Sequence, residues 1–155
     1  MAYVLNINNC LKGLATLVKD TWGLTTKIAE EGMESRFDAA RLPYAALTYG
    51  RIELARGGTA LKDYRMEIPF EVTYCMGEIA DDIGMDTARE KCCNLGELLL
   101  DSHLPYTGSD TCSYVNAVHM VAGMENDFLG WARERNLPLV GAAVGGVIVV
   151  EDNAS

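Results

Sequence analysis

His103 and His119 are the only histidines, and Cys10, Cys75, Cys92, Cys93 and Cys112 are the only thiols. These residue types are the ones most able to do nucleophilic or acid–base work. A catalytic thiol needs a base within hydrogen-bond reach and a third group to orient that base. Cys75 and His119 both fall in strand-like runs and are the one pair that could meet, but no orienting residue can be identified. His103 sits in a turn, Ser102-His103-Leu104-Pro105. The odd cysteine count and the lack of a C-x-x-C pair suggest neither a disulfide framework nor a common zinc module. Cys92 and Cys93 are adjacent, where a mutual disulfide would be strained. Small buried or half-buried thiols in a reducing compartment are expected.

Gly141, Gly145 and Gly146 resemble a phosphate loop only superficially. They precede a strand rather than open a helix, and no Gly-Lys-Ser or Gly-Lys-Thr follows. Tight packing is the better expectation for them. Glu30-Glu31 and Asp81-Asp82 lack the alternating oxygen ligands of a calcium loop, and Asp81-Asp82 is an ordinary helix start. The sequence therefore predicts no catalytic residue, no cofactor site and no metal site.

One polar group stands above this background. Arg51, Arg56, Lys62 and Arg65 cluster on and around a single hairpin of an acidic chain, with formal net charge -9 over 155 residues. Such charges usually solvate an edge. The functional reading is a positive patch that meets an acidic neighbour and steers assembly. A head-to-tail contact of that kind closes into a ring. These four residues are the candidate interface.

The elements that must position them follow from hydrophobic spacing. Leu11, Leu14, Leu17, Val18 and Trp22 predict a helix from about Asn8 to Trp22, capped by Asn8 or Asn9 and ended by Gly23. Residues 24–41 read as a connection. Pro43 holds Leu42 extended at the entry to a strand, Leu47 to Leu54. In that strand Thr48, Ile52 and Leu54 share one face, while Tyr49, Arg51 and Glu53 share the other. The second strand, Tyr64 to Tyr74, alternates cleanly. Tyr64, Met66, Ile68, Phe70, Val72 and Tyr74 form its buried face. Pro69 inside it implies an edge position or a bulge, and the turn Arg56 to Asp63 is expected to be an exposed tip.

A second helix, roughly Asp86 to Asp101, carries the stripe Ala88, Cys92, Leu95, Leu99 and Ser102. Gly96 within it would permit close helix-on-sheet contact. Two more strands follow, Cys112 to Val121 and Val144 to Val150, the last apolar enough to be covered on both faces. The stretch Glu125 to Leu139 reads as a short helix or a long loop. Together these predict one α+β domain over residues 1–155. Its order is helix, strand, strand, helix, strand, strand, with a mostly antiparallel four-stranded sheet and helices packed on one side.

Composition bounds the function classes. With 49% hydrophobic and 23% charged residues the chain is an ordinary globular one. Its acidity argues against a surface built to neutralise phosphates. An acidic protein still suits a site where DNA must slide past without sticking. The first residues lack a basic n-region and long apolar core, and no run approaches the ~20 residues of a membrane helix. A soluble protein made in the cytoplasm is expected.

Leu42-Pro43-Tyr44-Ala45, the alternating strand Tyr64 to Tyr74 and the Leu-rich helix after it resemble small neck and tail proteins of tailed bacteriophages. The closest likeness is the tail terminator, or tail completion, family. The resemblance covers about residues 8 to 121, and the final strand more loosely. It rests on patterning rather than a signature motif. Pro69 and the stretch Glu125 to Leu139 depart from it. It implies an α+β protomer forming a hexameric ring on the last ring of tail-tube protein. That ring would stop tube polymerisation and present a surface to the head connector. DNA would pass through without specific binding, and the protein would reside in the virion. Another neck component, such as a head-closure protein, would share this pattern. A small cytosolic α+β enzyme or ligand-binding protein is the alternative from a different class.

Overall fold

A computed structural model describes residues 7–24, 26–28, 43–56, 64–77, 82–101, 111–122, 127–134 and 139–152. Its spine is two long antiparallel strands, β4 (Tyr64–Gly77) and β6 (Leu139–Asp152). They run in unbroken register from Arg65 opposite Glu151 to Gly77 opposite Leu139. Around them lie β1 (Thr26–Ile28), β2 (Tyr44–Tyr49), β3 (Glu53–Arg56) and β5 (Thr111–Ala122). The sheet order is β1-β2-β4-β6-β5, with β3 pairing β4 in line with β2. Only β1 on β2 is parallel. The architecture is the expected α+β one, with six strands where the sequence predicts four.

Both additional strands have physical causes. β1 is three residues long, in a polar stretch without periodicity, and exists by pairing with Ala45, Ala46 and Leu47. The predicted first strand is two strands. β2 ends with Tyr49 opposite Phe70, and β3 begins with Glu53 opposite Glu67. Gly50, Arg51 and Ile52 thus stand against only Pro69 and Ile68, which is a one-residue bulge. An inserted residue reverses the side-chain parity beyond it. Thr48 therefore faces the same way as Glu71 and Glu53, while Tyr49 and Leu54 face the other way, with Phe70 and Met66. The predicted grouping of Thr48 with Leu54, and of Tyr49 with Glu53, is corrected by this slip.

The bulge also explains Pro69. The N–H of Gly50 donates to the Pro69 carbonyl at 2.8 Å. In an antiparallel ladder a residue's N–H and C=O point to the same neighbour. The donor that Pro69 lacks would thus face the bulge, where the ladder is already interrupted. Between the edge and the bulge that the sequence allows, the structure has the bulge, because β4 is flanked by β2 and β3 on one side and by β6 on the other.

Two helices cover one face of the sheet. In α1 (Ile7–Trp22), Cys10, Leu11, Leu14, Val18 and Trp22 are buried. Asn8 and Asn9 lie inside its first turn, so neither is the cap. Gly23 ends it with φ 71° and donates to the Lys19 carbonyl at 2.8 Å, a left-handed C-terminal cap. In α2 (Asp82–Asp101) Ala88, Cys92, Leu95 and Leu99 of the predicted stripe are fully buried, and its last member, Ser102, lies outside the described residues. Gly96 is buried too, and a Cβ there would meet Val118 Cγ1 at 3.3 Å and Val144 Cγ2 at 3.5 Å. Its missing side chain lets α2 lie directly on β5 and β6. Met66, Ile68, Phe70, Val72 and Tyr74 complete this core with Ala142, Val144, Ile148 and Val150. Trp22 fastens α1 to both layers. Its ring meets Tyr74 edge-on at 5.3 Å, and its Nε1–H donates to the Lys91 carbonyl at 2.9 Å.

The stretch before β6 holds a short helix, α3 (Asp127–Glu134), with Leu129 buried. Near the end of the sheet where α3 joins β6, the second face is also closed, with Ala46, Thr73, Cys75 and Ala143 at 0% exposure. β6 is accordingly buried on both faces, as its apolar run predicts. Among the described residues no helix is long and apolar enough to cross a membrane.

Candidate functional site

The second face of the sheet is open toward the middle and is crossed there by a polar row. Thr48 on β2, Glu71 on β4, Gly145 on β6 and His119 on β5 stand side by side in register. The Thr48 hydroxyl donates to the Glu71 carbonyl at 3.3 Å. His119 Nε2 lies 3.3 Å from Glu71 Oε2, so these two side chains meet across the intervening strand β6. Gly145 makes that contact possible. A Cβ there would lie 2.9 Å from His119 Cε1, 3.0 Å from Nε2 and 2.5 Å from the Phe70 carbonyl oxygen. Gly141 has the same relation to the Tyr74 carbonyl. Close strand packing explains both glycines, as the sequence predicts.

This pair replaces the imagined one. His119 reaches Glu71, four residues before Cys75 along β4, roughly 13 Å away at strand rise. Cys75 instead donates weakly to the Thr73 carbonyl at 3.8 Å. Its burial, with Cys92 nearby as a second cause, holds its pKa well above the ordinary thiol range. Burial likewise pushes Cys10 up to about 11, and burial plus the neighbouring Cys93 pushes Cys92 up to about 12. Each of these thiols stays protonated and inert near neutral pH. Cys93 is exposed, and its sulfur lies 3.7 Å from the Met120 sulfur. Cys112 is placed in β5 opposite Glu151, and His103 lies outside the described residues. Among the described residues no three of His, Cys, Asp and Glu gather as metal ligands.

Of the predicted basic cluster, the side chains of Arg51 and Arg65 are described. Arg51 is exposed in the bulge between β2 and β3. Arg56 is the last residue of β3, opposite Tyr64. Arg65 is opposite Ala55, one step along, at a position of opposite pleat parity to Arg56, and it pairs with Glu67 at 3.0 Å. Lys62 and the hairpin tip lie outside the described residues. Of the four, Arg51 and Arg65 are thus divided between the open edge and the acidic second face.

The edges were not anticipated from the sequence. Among the described strands β5 pairs only with β6, and β3 only with β4, so the sheet ends in open strands on opposite sides. The large exposed apolar side chains gather near these two margins. Tyr49 (41% exposed) and Leu54 (69%) belong to the β2–β3 margin, and Met120 (53%) belongs to β5. All three point to the helix-bearing side of the sheet, by register with Phe70, Met66 and Val144. Leu100 (58%) is on α2, on the same flank of the helix as Cys93, which meets Met120. A shallow open depression of about 220 Å³ lies at the bulge, lined by Thr48, Tyr49, Gly50, Pro69, Phe70 and Glu71. Its openness suits a protruding side chain better than an enclosed small molecule.

No protein-family model matches the chain, and no curated protein matches it.

Proposed function

We propose that this chain is a non-catalytic virion protein, a tail terminator of tailed bacteriophages. A ring of copies, six by the family resemblance, caps the last ring of tail-tube protein. It halts polymerisation and joins the tail to the head connector. One observation carries this reading: among the described residues the sheet has two different open margins on opposite sides, each with large exposed apolar side chains. A protomer with two unlike adhesive edges associates head to tail, and such contacts close into a ring when the rotation allows. The net charge of -9 fits a channel through which DNA moves without adhering.

A head-closure protein of the neck would use the same two margins with a different partner, and the test separates the two. Purified protein is added to tail-tube subunits during polymerisation, and tubes are viewed by electron microscopy. The expected result is shorter tubes with extra density at one end. Tubes of unaltered length without end density would reject the terminator reading. Binding only to the connector would favour head closure.

A further inference from the structure

Cys93 on α2 and Met120 on β5 bring a thiol and a thioether together on the helix-bearing side of the sheet, with their sulfurs 3.7 Å apart. Both side chains are exposed. Their meeting follows from the way α2 lies on β5. Gly96 sets the helix against Val118, where a Cβ would come within 3.3 Å of Cγ1. Cys93 is one turn back along α2 from Gly96, and Met120 is two residues on along β5 from Val118, on the same face of the strand. The sulfur pair is thus held by a packed helix–sheet contact. Glu90 and Glu97 stand one turn to either side of Cys93, both exposed. The charge of Arg89, on the same flank, is engaged with Asp86 at 3.2 Å. His119 takes the other face of β5, where it meets Glu71.

We infer that Cys93 and Met120 form a two-sulfur site for a soft monovalent cation, Cu(I) or its analogue Ag(I). Thiolate and thioether sulfur select such ions over harder ones. A monovalent ion with a filled d shell is satisfied by two sulfurs in a line, so the site needs no third side chain. Taking the zinc–thiolate length of about 2.3 Å as a guide, a linear pair of sulfurs is about 4.6 Å apart. The two sulfurs stand somewhat closer than that, and the unbranched Met120 side chain has the rotatable bonds to open the gap. Binding breaks the Cys93 S–H bond, forms a metal–thiolate bond and releases the proton to solvent. Met120 donates a sulfur lone pair, and no electron is transferred. Cys10, Cys75 and Cys92 do not compete, because each is buried and keeps its proton near neutral pH. The bound ion would tie α2 to β5 at the sheet margin. The site stands independently of the ring reading.

Metal titration tests this directly, in a Cys112→Ser background that removes the remaining thiol. The probes are Cu(I), buffered by a chromogenic chelator under reductant, and Ag(I) as its nitrate without chloride. One ion per chain should bind, with no comparable binding of Zn(II). With methionine methyl groups labelled with carbon-13, the Met120 signal should move with the first equivalent and the other methionines should not. That readout keeps both ligands intact and needs no variant to fold. Met120→Leu and Cys93→Ser are then compared at equal thermal melting. Losing even an outer partner of a metal ligand costs about 10–100-fold in affinity, so losing either sulfur should cost at least about tenfold. Binding of undiminished strength in Met120→Leu would reduce the site to a single thiol and overturn the inference. So would binding retained in Cys93→Ser, an unmoved Met120 methyl signal, or Zn(II) bound as tightly as Cu(I).

Discussion

Gly145→Ala is the sharpest test of how the sheet is packed. The new methyl carbon would lie 2.5 Å from the Phe70 carbonyl oxygen and 2.9 to 3.0 Å from the His119 ring. The ring can swing away, since the His119 side chain is 57% exposed, and the swing gives up its contact with Glu71. The carbonyl cannot retreat so easily, because Phe70 and Gly146 are paired in the uninterrupted β4–β6 ladder. Overpacking of this kind costs about 1–3 kcal/mol. Loss of the exposed His–Glu contact adds up to about 1 kcal/mol. Opposing these, Ala lowers the entropy of the unfolded chain, worth about 0.4–1 kcal/mol. The net expectation is a loss of about 1–3 kcal/mol, read from urea midpoints at constant slope. Repeating the change in a His119→Ala background separates the causes. There the cost should shrink by the share due to the imidazole, about 0.5–1 kcal/mol, and retain the share due to the carbonyl. A neutral or stabilising Gly145→Ala would refute the close approach of β4 to this position. An undiminished cost without His119 would refute the account of why a glycine lies between the two side chains.

Other outcomes follow from features already described. In the native protein a maleimide reagent at neutral pH should label Cys93 and spare Cys10, Cys75 and Cys92, which become reactive only in denaturant. Rapid native labelling of Cys75 would contradict its burial. Alkaline pH should weaken the fold, because Cys10 keeps its proton to about 11 when folded but loses it near 9.0 when unfolded. That contribution is present below pH 9 and is lost by about pH 11, of order 2 kcal/mol. Cys10→Ala should therefore show a shallower decline over that window, and an unchanged slope would count against the assignment. Pro69→Ala should change stability by less than about 1 kcal/mol, because its N–H position faces the bulge. Val72→Pro, within the regular ladder, should cost about 3 kcal/mol or more. Equal effects of the two would overturn the bulge explanation.

What the sequence discloses is what local periodicity encodes. The buried face of β4, the stripe of α2 and the glycine end of α1 are each written in nearest-neighbour spacing, and each is found as expected. Pro69 narrows the choice to an edge or a bulge, and only the neighbouring strand's register decides between them. The inserted residue near Gly50 is silent in composition, yet it moves Thr48 and Leu54 to opposite faces. β1 has no pattern of its own, because three residues in a parallel pairing depend wholly on β2. The Glu71–His119 contact is equally hidden, since it joins residues 48 positions apart through a glycine in a third strand. The basic cluster is legible as charge, while the placement of Arg51 in the bulge and of Arg65 opposite Ala55 depends on strand register.

The uninterrupted β4–β6 ladder has a mechanical consequence. Its neighbours each carry an irregularity, at Gly50 to Ile52 on one side and between Val115 and Val118 on the other. Tension applied along the strands loads all the Arg65-to-Gly77 pairings at once in shear. Tension applied across the sheet instead peels its margins one hydrogen bond at a time, starting at the bulges. The molecule is therefore stiff along one direction and yielding along the other. Pulled at its edges, the molecule can adjust its outline there while its centre keeps its shape.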